Sequence, residues 1–126
     1  MEVKENLRYT NDHEWIKIDG NIALVGITDF AQSELGDIVF IEVESIGDSL
    51  NKNEVFGTVE AVKTVSDLFI PMSGKVLEFN TALEDNPELV NESPYKEGWI
   101  VKIEISNLDE ISDLLDSKAY KSLIGQ

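Results

Sequence analysis

The sequence contains no cysteine and only one histidine, His13. Without a thiol, the chain has no disulfide, no thiolate nucleophile and no cysteine-ligated metal. A single imidazole also excludes a histidine-rich metal site, and no nucleophile-elbow motif accompanies it. We therefore expect no metal and no catalytic residue, which argues against an enzyme that acts by itself.

Long apolar runs are missing as well. No stretch of the chain approaches the ~20 apolar residues that a membrane-spanning helix needs. Residues 1–8 have no apolar core segment of the kind that a secretory signal contains. We expect no membrane association and a cytoplasmic location.

Basic residues are scarce, since 10 Lys and Arg stand against 25 Asp and Glu for a formal net charge of −15. Such a surface repels nucleic acid and anionic lipid. It either steers the chain to protein partners with basic patches or only keeps the chain soluble, and charge alone leaves both open. The 126 residues are 42% hydrophobic, which is ordinary for a globular protein. We predict one domain over residues 1–126 and a monomer.

The apolar pattern predicts a mainly β protein built from short strands. Asp19-Gly20 is typical of a hairpin turn, and Gly57 within a strand indicates a bend, a bulge or a close backbone approach. Trp15 and Trp99 are expected in the core. The predicted strands cover residues 14–18, 22–27, 38–43, 55–62, 68–70, 75–79 and 99–105.

Helical signals are short and lie between or after the strands. Thr28 is a candidate N-cap for a turn of helix that Gly36 ends. Asn86 is a candidate N-cap for a second helix, with Pro87 at its first position. The longest helical signal is at the end of the chain, where a cap at Asn107 with Glu110 precedes an apolar stripe. That stripe consists of Leu108, Ile111, Leu114 and Leu115.

Lys63 follows one apolar strand and precedes another, so we predict that it lies at the tip of a hairpin. An exposed amine there is accessible to a modifying enzyme. Glu60 and Asp67 flank it and suit a basic groove on that enzyme. Exposure alone does not single out Lys63, because the chain has eight other lysines and a surface lysine is usually only solvated.

The run Val59-Glu60-Ala61-Val62-Lys63, continued by Ser66-Asp67, resembles the lipoyl attachment site of glycine cleavage system H proteins. Thr64 departs from the alanine that is more frequent in that family. Further similarity extends in order from about Tyr9 to the C-terminal region. It includes His13-Glu14-Trp15, Gly26-Ile27-Thr28-Asp29, Ala31-Gln32, Leu35-Gly36, Pro71-Met72-Ser73-Gly74, Val76, Asn80, Asn86-Pro87, Asn91, Pro94-Tyr95 and Gly98-Trp99.

This resemblance implies a small two-sheet β sandwich, a barrel-sandwich hybrid of the lipoyl/biotinyl type, with short helices and a C-terminal helix. It implies lipoic acid in amide linkage to Lys63. The attaching enzyme is then a lipoate ligase or a lipoyl or octanoyl transferase. The residues that such an enzyme is expected to recognise are Glu60, Val62, Ser66 and Asp67.

The resemblance also implies a shuttle among three enzymes. A pyridoxal-phosphate glycine decarboxylase loads an aminomethyl group, a tetrahydrofolate-dependent aminomethyltransferase unloads it, and dihydrolipoyl dehydrogenase reoxidises the carrier. Glu14, Glu34 and Asp67 are candidates for a cleft that shields the loaded arm. Some family members have histidine where this chain has Glu34.

Other carriers of similar architecture fit less well. Biotin carriers usually have methionines around the attachment lysine, whereas Val62 and Thr64 flank Lys63 here. The lipoyl domains of 2-oxo acid dehydrogenases usually have an aspartate just before the lysine. Two alternatives stay open at this point: a lipoyl donor or scaffold in lipoate transfer or sulfur metabolism, and an unmodified interaction domain.

Overall fold

The computed structural model describes all residues from 1 to 126 and contains nine β-strands. In chain order they are β1 Arg8–Tyr9, β2 Glu14–Asp19, β3 Ile22–Ile27, β4 Ile38–Glu42, β5 Ser49–Leu50, β6 Val55–Ala61, β7 Val65–Phe69, β8 Gly74–Phe79 and β9 Val101–Ile105. They form two antiparallel sheets, a six-stranded one in the order β1-β2-β3-β9-β8-β5 and a three-stranded one in the order β4-β6-β7. The expected mainly β fold with two sheets is confirmed.

Four short α-helices and one 3₁₀ helix connect or follow the strands. They are α1 Asp29–Leu35, α2 Ala82–Asp85, α3 Leu89–Glu92, the 3₁₀ helix Leu108–Asp113 and α4 Ser117–Leu123. The predicted cap of α1 is confirmed, since the Thr28 side chain accepts from the Ala31 amide and Gly36 ends the helix at φ 80°. None of these helices has the length or the apolar character to cross a bilayer.

Two helix predictions are wrong in detail. Asn86 ends α2 and does not cap a helix at Pro87, because α3 begins only at Leu89. The Asn107 cap is confirmed, since its side chain accepts from the Asp109 amide, but the segment after it is the 3₁₀ helix Leu108–Asp113 in place of a long α-helix, and Leu114 and Leu115 lie beyond its end. Glu110 does not complete a capping box with Asn107, because its carboxylate accepts hydrogen bonds from the amide and the hydroxyl of Ser73.

Most strand boundaries agree with the prediction within two residues, but three differences matter. The strand after the hairpin tip begins at Val65 and not at Leu68. The last strand begins at Val101, and Trp99 before it is only half-buried. The two-residue strands β1 and β5 were not predicted, since so short a run carries no periodic signal.

The main core lies between the two sheets and contains 19 buried residues. Both sheets contribute alternate side chains to it, as the two-residue period of a strand requires. The three-stranded sheet supplies Ile38, Ile41, Phe56, Val59 and Leu68, and the six-stranded sheet supplies Ile16, Ala23, Val25, Ile27, Val76, Val101, Ile103 and Ile105. This packing fixes the β6–β7 hairpin against the larger sheet.

A second, smaller cluster covers the other side of the six-stranded sheet near β2. It consists of Leu7, Tyr9, Trp15 and Tyr120, and Tyr120 comes from α4. The rings of Tyr9 and Tyr120 stack with centroids 4.6 Å apart. The Trp15 indole donates to the Pro94 carbonyl at 2.9 Å, which confirms Trp15 as a core residue. The C-terminal segment therefore packs on the β core.

Gly57 allows β4 and β6 to approach closely. A Cβ at this position would lie 2.5 Å from the Glu42 carbonyl oxygen and 3.0 Å from a methyl of Val43. On the other side of β6, the β6–β7 register shifts between Val55 and Gly57. The interpretation of Gly57 from the sequence is confirmed.

We expect Gly57→Ala to lower the free energy of unfolding by about 2–3 kcal/mol, because the obstructing Glu42 carbonyl belongs to the backbone and cannot rotate away. The adjacent Thr58→Ala is the control and should cost about 1 kcal/mol or less, since it adds no atom. Urea denaturation followed by circular dichroism measures both. Equal midpoints for the two variants would contradict the close approach.

Candidate functional site

Lys63 lies at the tip of the β6–β7 hairpin. The Ala61 amide donates to the Thr64 carbonyl at 2.8 Å, which leaves Val62 and Lys63 as the two residues of the turn. Lys63 is exposed, and its ammonium takes part in none of the three ion pairs of the structure. The amine is therefore accessible to another protein.

The tip is braced by the connection between α1 and β4. The Val62 amide donates to the Asp37 carbonyl at 3.0 Å. The Lys63 side chain leans over Gly36, where an added Cβ would lie 3.4 Å from Lys63 Cε and 3.8 Å from Nζ. The positive φ favours glycine at this position, and the distances to Lys63 are those of ordinary van der Waals contact.

Asn91 of α3 holds the same connection from behind. Its side-chain amide donates to the Gly36 carbonyl at 2.9 Å and to the Gln32 side chain at 2.9 Å, and its oxygen accepts from the Ile38 amide at 3.0 Å. One residue thereby forms hydrogen bonds with three polar groups around the end of α1, two on the backbone and one on a side chain. The hairpin tip rests on a fixed support.

The four residues predicted to form the attachment motif all lie close to Lys63 in the chain and are exposed. Val62, in the turn itself, is 75% exposed. Glu60 lies opposite Val65 in the β6–β7 ladder, and Ser66 and Asp67 follow on β7 opposite Val59 and Thr58.

A cleft of about 220 Å³ lies between α1, β7 and the turn before β2. Glu14, Glu34 and Asp67 all line it, so the structure brings the three predicted cleft residues together. Its apolar walls are formed by Ile27, Phe30, Ala31, Leu35, Val59 and Leu68. Four larger depressions, of about 310–460 Å³, include no residue from 59 to 69, so none of them reaches the hairpin tip.

Glu14 is the buried acid of the cleft, with 2% of its surface exposed. Its carboxyl accepts from the Thr10 hydroxyl at 2.8 Å and from the Phe69 amide at 3.3 Å. Burial raises the pKa of Glu14 to about 8, and the two hydrogen bonds oppose that shift only in part. The group is therefore mostly protonated at neutral pH, unlike an ordinary glutamate.

Tyr120 links the turn before β2 to the start of α1, the two segments on either side of the cleft. Its hydroxyl lies 2.9 Å from His13 Nδ1 and 2.7 Å from the Thr28 hydroxyl, and Thr28 in turn caps α1. Burial lowers the pKa of His13, so the ring is neutral at pH 7. His13 is therefore part of the cleft wall and is held there by its hydrogen bond with Tyr120.

Sequence reasoning did not identify Thr10 or Tyr120 as parts of the site. Thr10 lies four residues before Glu14, and its hydroxyl also accepts from the Glu14 and Asp12 amides at 3.2 Å. That spacing is a usable signal for a side-chain-stabilised turn. Tyr120 has no such signal, because it is 107 residues from His13 along the chain.

Two packed antiparallel sheets with one lysine at a hairpin tip define the class: a carrier-type domain with the lipoyl/biotinyl barrel-sandwich fold. The comparison with known proteins specifies the family. Residues 7–126 match the family model described as glycine cleavage H-protein. The chain belongs to the glycine cleavage H-protein family.

Individual relatives agree with this assignment. The chain is 54% identical over 124 residues to a glycine cleavage system H protein of Bacteroides thetaiotaomicron, which covers 98% of each chain. It is 52% identical over 126 residues to that of Staphylococcus haemolyticus, which covers 100% of both. A crystal structure of a glycine cleavage system H protein from Mycobacterium marinum matches with a TM-score of 0.90 at 36% identity, covering 98% of this chain and 100% of that one.

The raised pKa of Glu14 predicts a specific pH dependence of stability. Above pH 4.5 the unfolded chain releases this proton, while the folded protein holds it up to about pH 8. The folded state then binds more protons, so its stability falls as the pH rises, by at most about 1.4 kcal/mol per pH unit. The free energy of unfolding of Glu14→Gln does not carry this loss. We therefore expect it to rise by about 2–4 kcal/mol relative to that of wild type as the pH goes from 5 to 8.

Urea denaturation at both pH values measures this gain, and subtracting the wild-type curve cancels the titration of His13 and the other shared groups. Glu34→Gln is the matched control, because Glu34 is an exposed acid of the same cleft. It should follow the wild-type curve. A constant difference between Glu14→Gln and wild type across the pH range would refute the assignment of a buried, protonated Glu14.

The hydrogen bonds of Tyr120 predict that removing its hydroxyl lowers the free energy of unfolding more than removing that of Tyr9, on which it stacks. Tyr120→Phe leaves His13 Nδ1 and the buried Thr28 hydroxyl without their partner, and should cost about 2–3 kcal/mol. Tyr9→Phe removes only the bond to the Lys4 carbonyl and should cost about 1 kcal/mol. Denaturation curves compare the two, and the ring signals of the single histidine should shift in an NMR spectrum of Tyr120→Phe alone.

Proposed function

We propose that this chain is a lipoylated carrier of the glycine cleavage system and that lipoic acid is attached to Lys63. The observation that carries the proposal is the exposed, unpaired amine of Lys63 at the tip of a braced hairpin. Membership in the H-protein family supports the same reading. We treat residues 1–126 as one carrier domain without catalytic activity of its own.

The surroundings of Lys63 fit a covalent lipoyl group. The amine is free of ion pairs, so acylation does not break an existing interaction. Glu60, Val62, Ser66 and Asp67 are accessible beside it to a lipoate ligase or a lipoyl or octanoyl transferase. The cleft next to β7 combines apolar walls with acidic groups, which suits an aliphatic chain that ends in a cation.

The lipoyl group, when bound, supplies a cyclic disulfide that opens to accept a carbon fragment and closes again on oxidation. This chain supplies the placement. The bond from the Val62 amide to the Asp37 carbonyl orients the tip, so the attachment point keeps its position when the carrier docks. Tethering then raises the effective concentration of the group at each partner.

We propose that the carrier serves three enzymes in turn. It receives an aminomethyl group at the pyridoxal-phosphate glycine decarboxylase and delivers it to the tetrahydrofolate-dependent aminomethyltransferase. It is then reoxidised by dihydrolipoyl dehydrogenase. The net charge of −15 steers the carrier to basic surfaces on these proteins, and exposed charge pairs allow it to leave them quickly.

We assign the shielding of the loaded arm to the cleft of Glu14, Glu34 and Asp67. Glu14 holds a proton while the cleft is empty. A cationic amine close to its carboxyl favours the ionised form and forms a charge-assisted hydrogen bond with it. The apolar walls, including Phe30 and Leu35, exclude water from the arm.

Lys63→Arg should keep the fold and abolish both lipoylation and glycine cleavage, because arginine preserves the charge but has no acylatable amine. Lys75→Arg, at an exposed lysine of β8, is the matched control and should be modified like wild type. Intact mass after incubation with lipoate, ATP and a lipoate ligase measures the modification. Circular dichroism checks that both variants are folded.

Glycine–bicarbonate exchange with the decarboxylase then tests the carrier role directly. Lipoylated wild type should support exchange, and Lys63→Arg should not exceed the unmodified protein. Lipoylated protein without exchange activity would instead favour a donor or scaffold role in lipoate transfer. A wild-type chain that stays unmodified would exclude both.

A further inference from the structure

The solvent side of the three-stranded sheet carries apolar side chains immediately beside Lys63. We call this surface the hairpin face and define it by Val39, Phe40, Glu60, Val62 and Val65. Four of the nine large hydrophobic side chains that the protein exposes belong to it. Phe40 is 50% exposed and Val65 is 63% exposed.

Strand register places these side chains in one row. Phe40 of β4 lies opposite Glu60 of β6, and Glu60 lies opposite Val65 of β7. Directly opposed residues on one face of an antiparallel sheet have their Cβ atoms about 5 Å apart. The phenyl ring, the carboxylate and the isopropyl group therefore form a continuous surface that ends at the turn with Val62 and Lys63.

A β-bulge in β4 creates the apolar part of this surface. Ile38 pairs with Ala61 and Phe40 pairs with Glu60, so Val39 is the extra residue between the two pairs. Regular alternation would turn every second residue inward, whereas the bulge leaves both Val39 and Phe40 exposed. Exposed adjacent apolar residues in a strand are unfavourable in water and mark an interaction surface.

Acidic residues surround the apolar row. Glu42 and Asp67 lie in the next row, on either side of Thr58, and Glu60 lies within the row itself. Between residues 37 and 67 the chain has seven carboxylates and only two lysines, Lys52 and Lys63. A second copy of this chain would bring like charges together, so the hairpin face does not suit self-association.

We infer that the hairpin face is the docking surface for the enzyme that acylates Lys63, an inference that rests on the proposed function. This enzyme must bring its reacting acyl carbon to Lys63 Nζ, so it has to cover the residues next to the tip. Enzymes that act on the far end of the attached arm have no such constraint. The acylating enzyme would present an apolar depression for Phe40 and Val65, edged by Arg or Lys side chains opposite Glu42, Glu60 and Asp67.

The test measures how the rate of acylation depends on carrier concentration, with a bacterial lipoate ligase, lipoate and ATP. Phe40→Thr and Val65→Thr should each raise KM for the carrier about tenfold and leave kcat within about twofold, because docking and not chemistry is weakened. Val55→Thr is the matched control, since Val55 is 44% exposed on β6 at the end away from the tip. Its KM should equal that of wild type.

A second measurement identifies the occupant. Each variant, lipoylated to completion at high carrier concentration, should support glycine–bicarbonate exchange like wild type. Normal acylation with impaired exchange would assign the hairpin face to the decarboxylase and overturn the inference. Unchanged KM in both Phe40→Thr and Val65→Thr would also overturn it, while the proposed function would stand if wild type is acylated. A wild type that is never acylated would overturn both.

The charge component has its own readout. Glu60→Gln should raise KM for the carrier and reduce the dependence of KM on ionic strength, because one screened attraction is removed. Glu104→Gln, at an exposed glutamate of β9 in the six-stranded sheet, is the charge-matched control. An equal effect of both substitutions would indicate general attraction to an acidic protein and contradict a specific site.

Discussion

The position of Lys63 depends on the contact between two short pieces of chain, the hairpin tip and the turn that follows α1. The Val62 amide bonds the Asp37 carbonyl, and Asn91 bonds the groups on either side of that turn. A two-residue turn on an isolated hairpin would be mobile, because only its own ladder would hold it. Here the tip, α1 and α3 form one unit, so the cleft beside β7 and Lys63 keep a fixed relation.

The Glu14 carboxyl, buried in the adjoining cleft, is subject to opposing influences on its charge. An apolar environment disfavours the carboxylate, while the Thr10 hydroxyl and the Phe69 amide favour it only in part. Folding holds this group neutral at some cost in stability above its ordinary pKa. On the proposed function, a cationic arm in the cleft would favour the ionised carboxyl and so offset part of that cost.

The sequence predicted well those features that depend on local chemistry. The Thr28 cap, the Gly20 hairpin turn and the close approach at Gly57 follow from single residue types with strong conformational preferences. The 3₁₀ helix at Leu108 and the role of Tyr120 were missed because tertiary partners decide them. Ser73 donates a hydrogen bond to Glu110, and Tyr120 forms a hydrogen bond with His13, 107 residues away along the chain. The family resemblance, and not periodicity, selected Lys63 among nine lysines.

The two-residue period of the β6–β7 hairpin separates two surfaces that a carrier needs. Val59 and Leu68 turn inward, toward the core and the cleft, whereas Glu60 and Val65 turn outward on the hairpin face. On the proposed function, an enzyme bound to the outward face would not have to enter the cleft, and an arm held in the cleft would leave Glu60 and Val65 free. Asp67, which lines the cleft and also lies beside the hairpin face, is the residue that the two surfaces share. Because both surfaces meet at the tip, one lysine would serve them with no change in the fold. The bulge at Val39 exposes the outward apolar surface without removing Ile38 or Ile41 from the core.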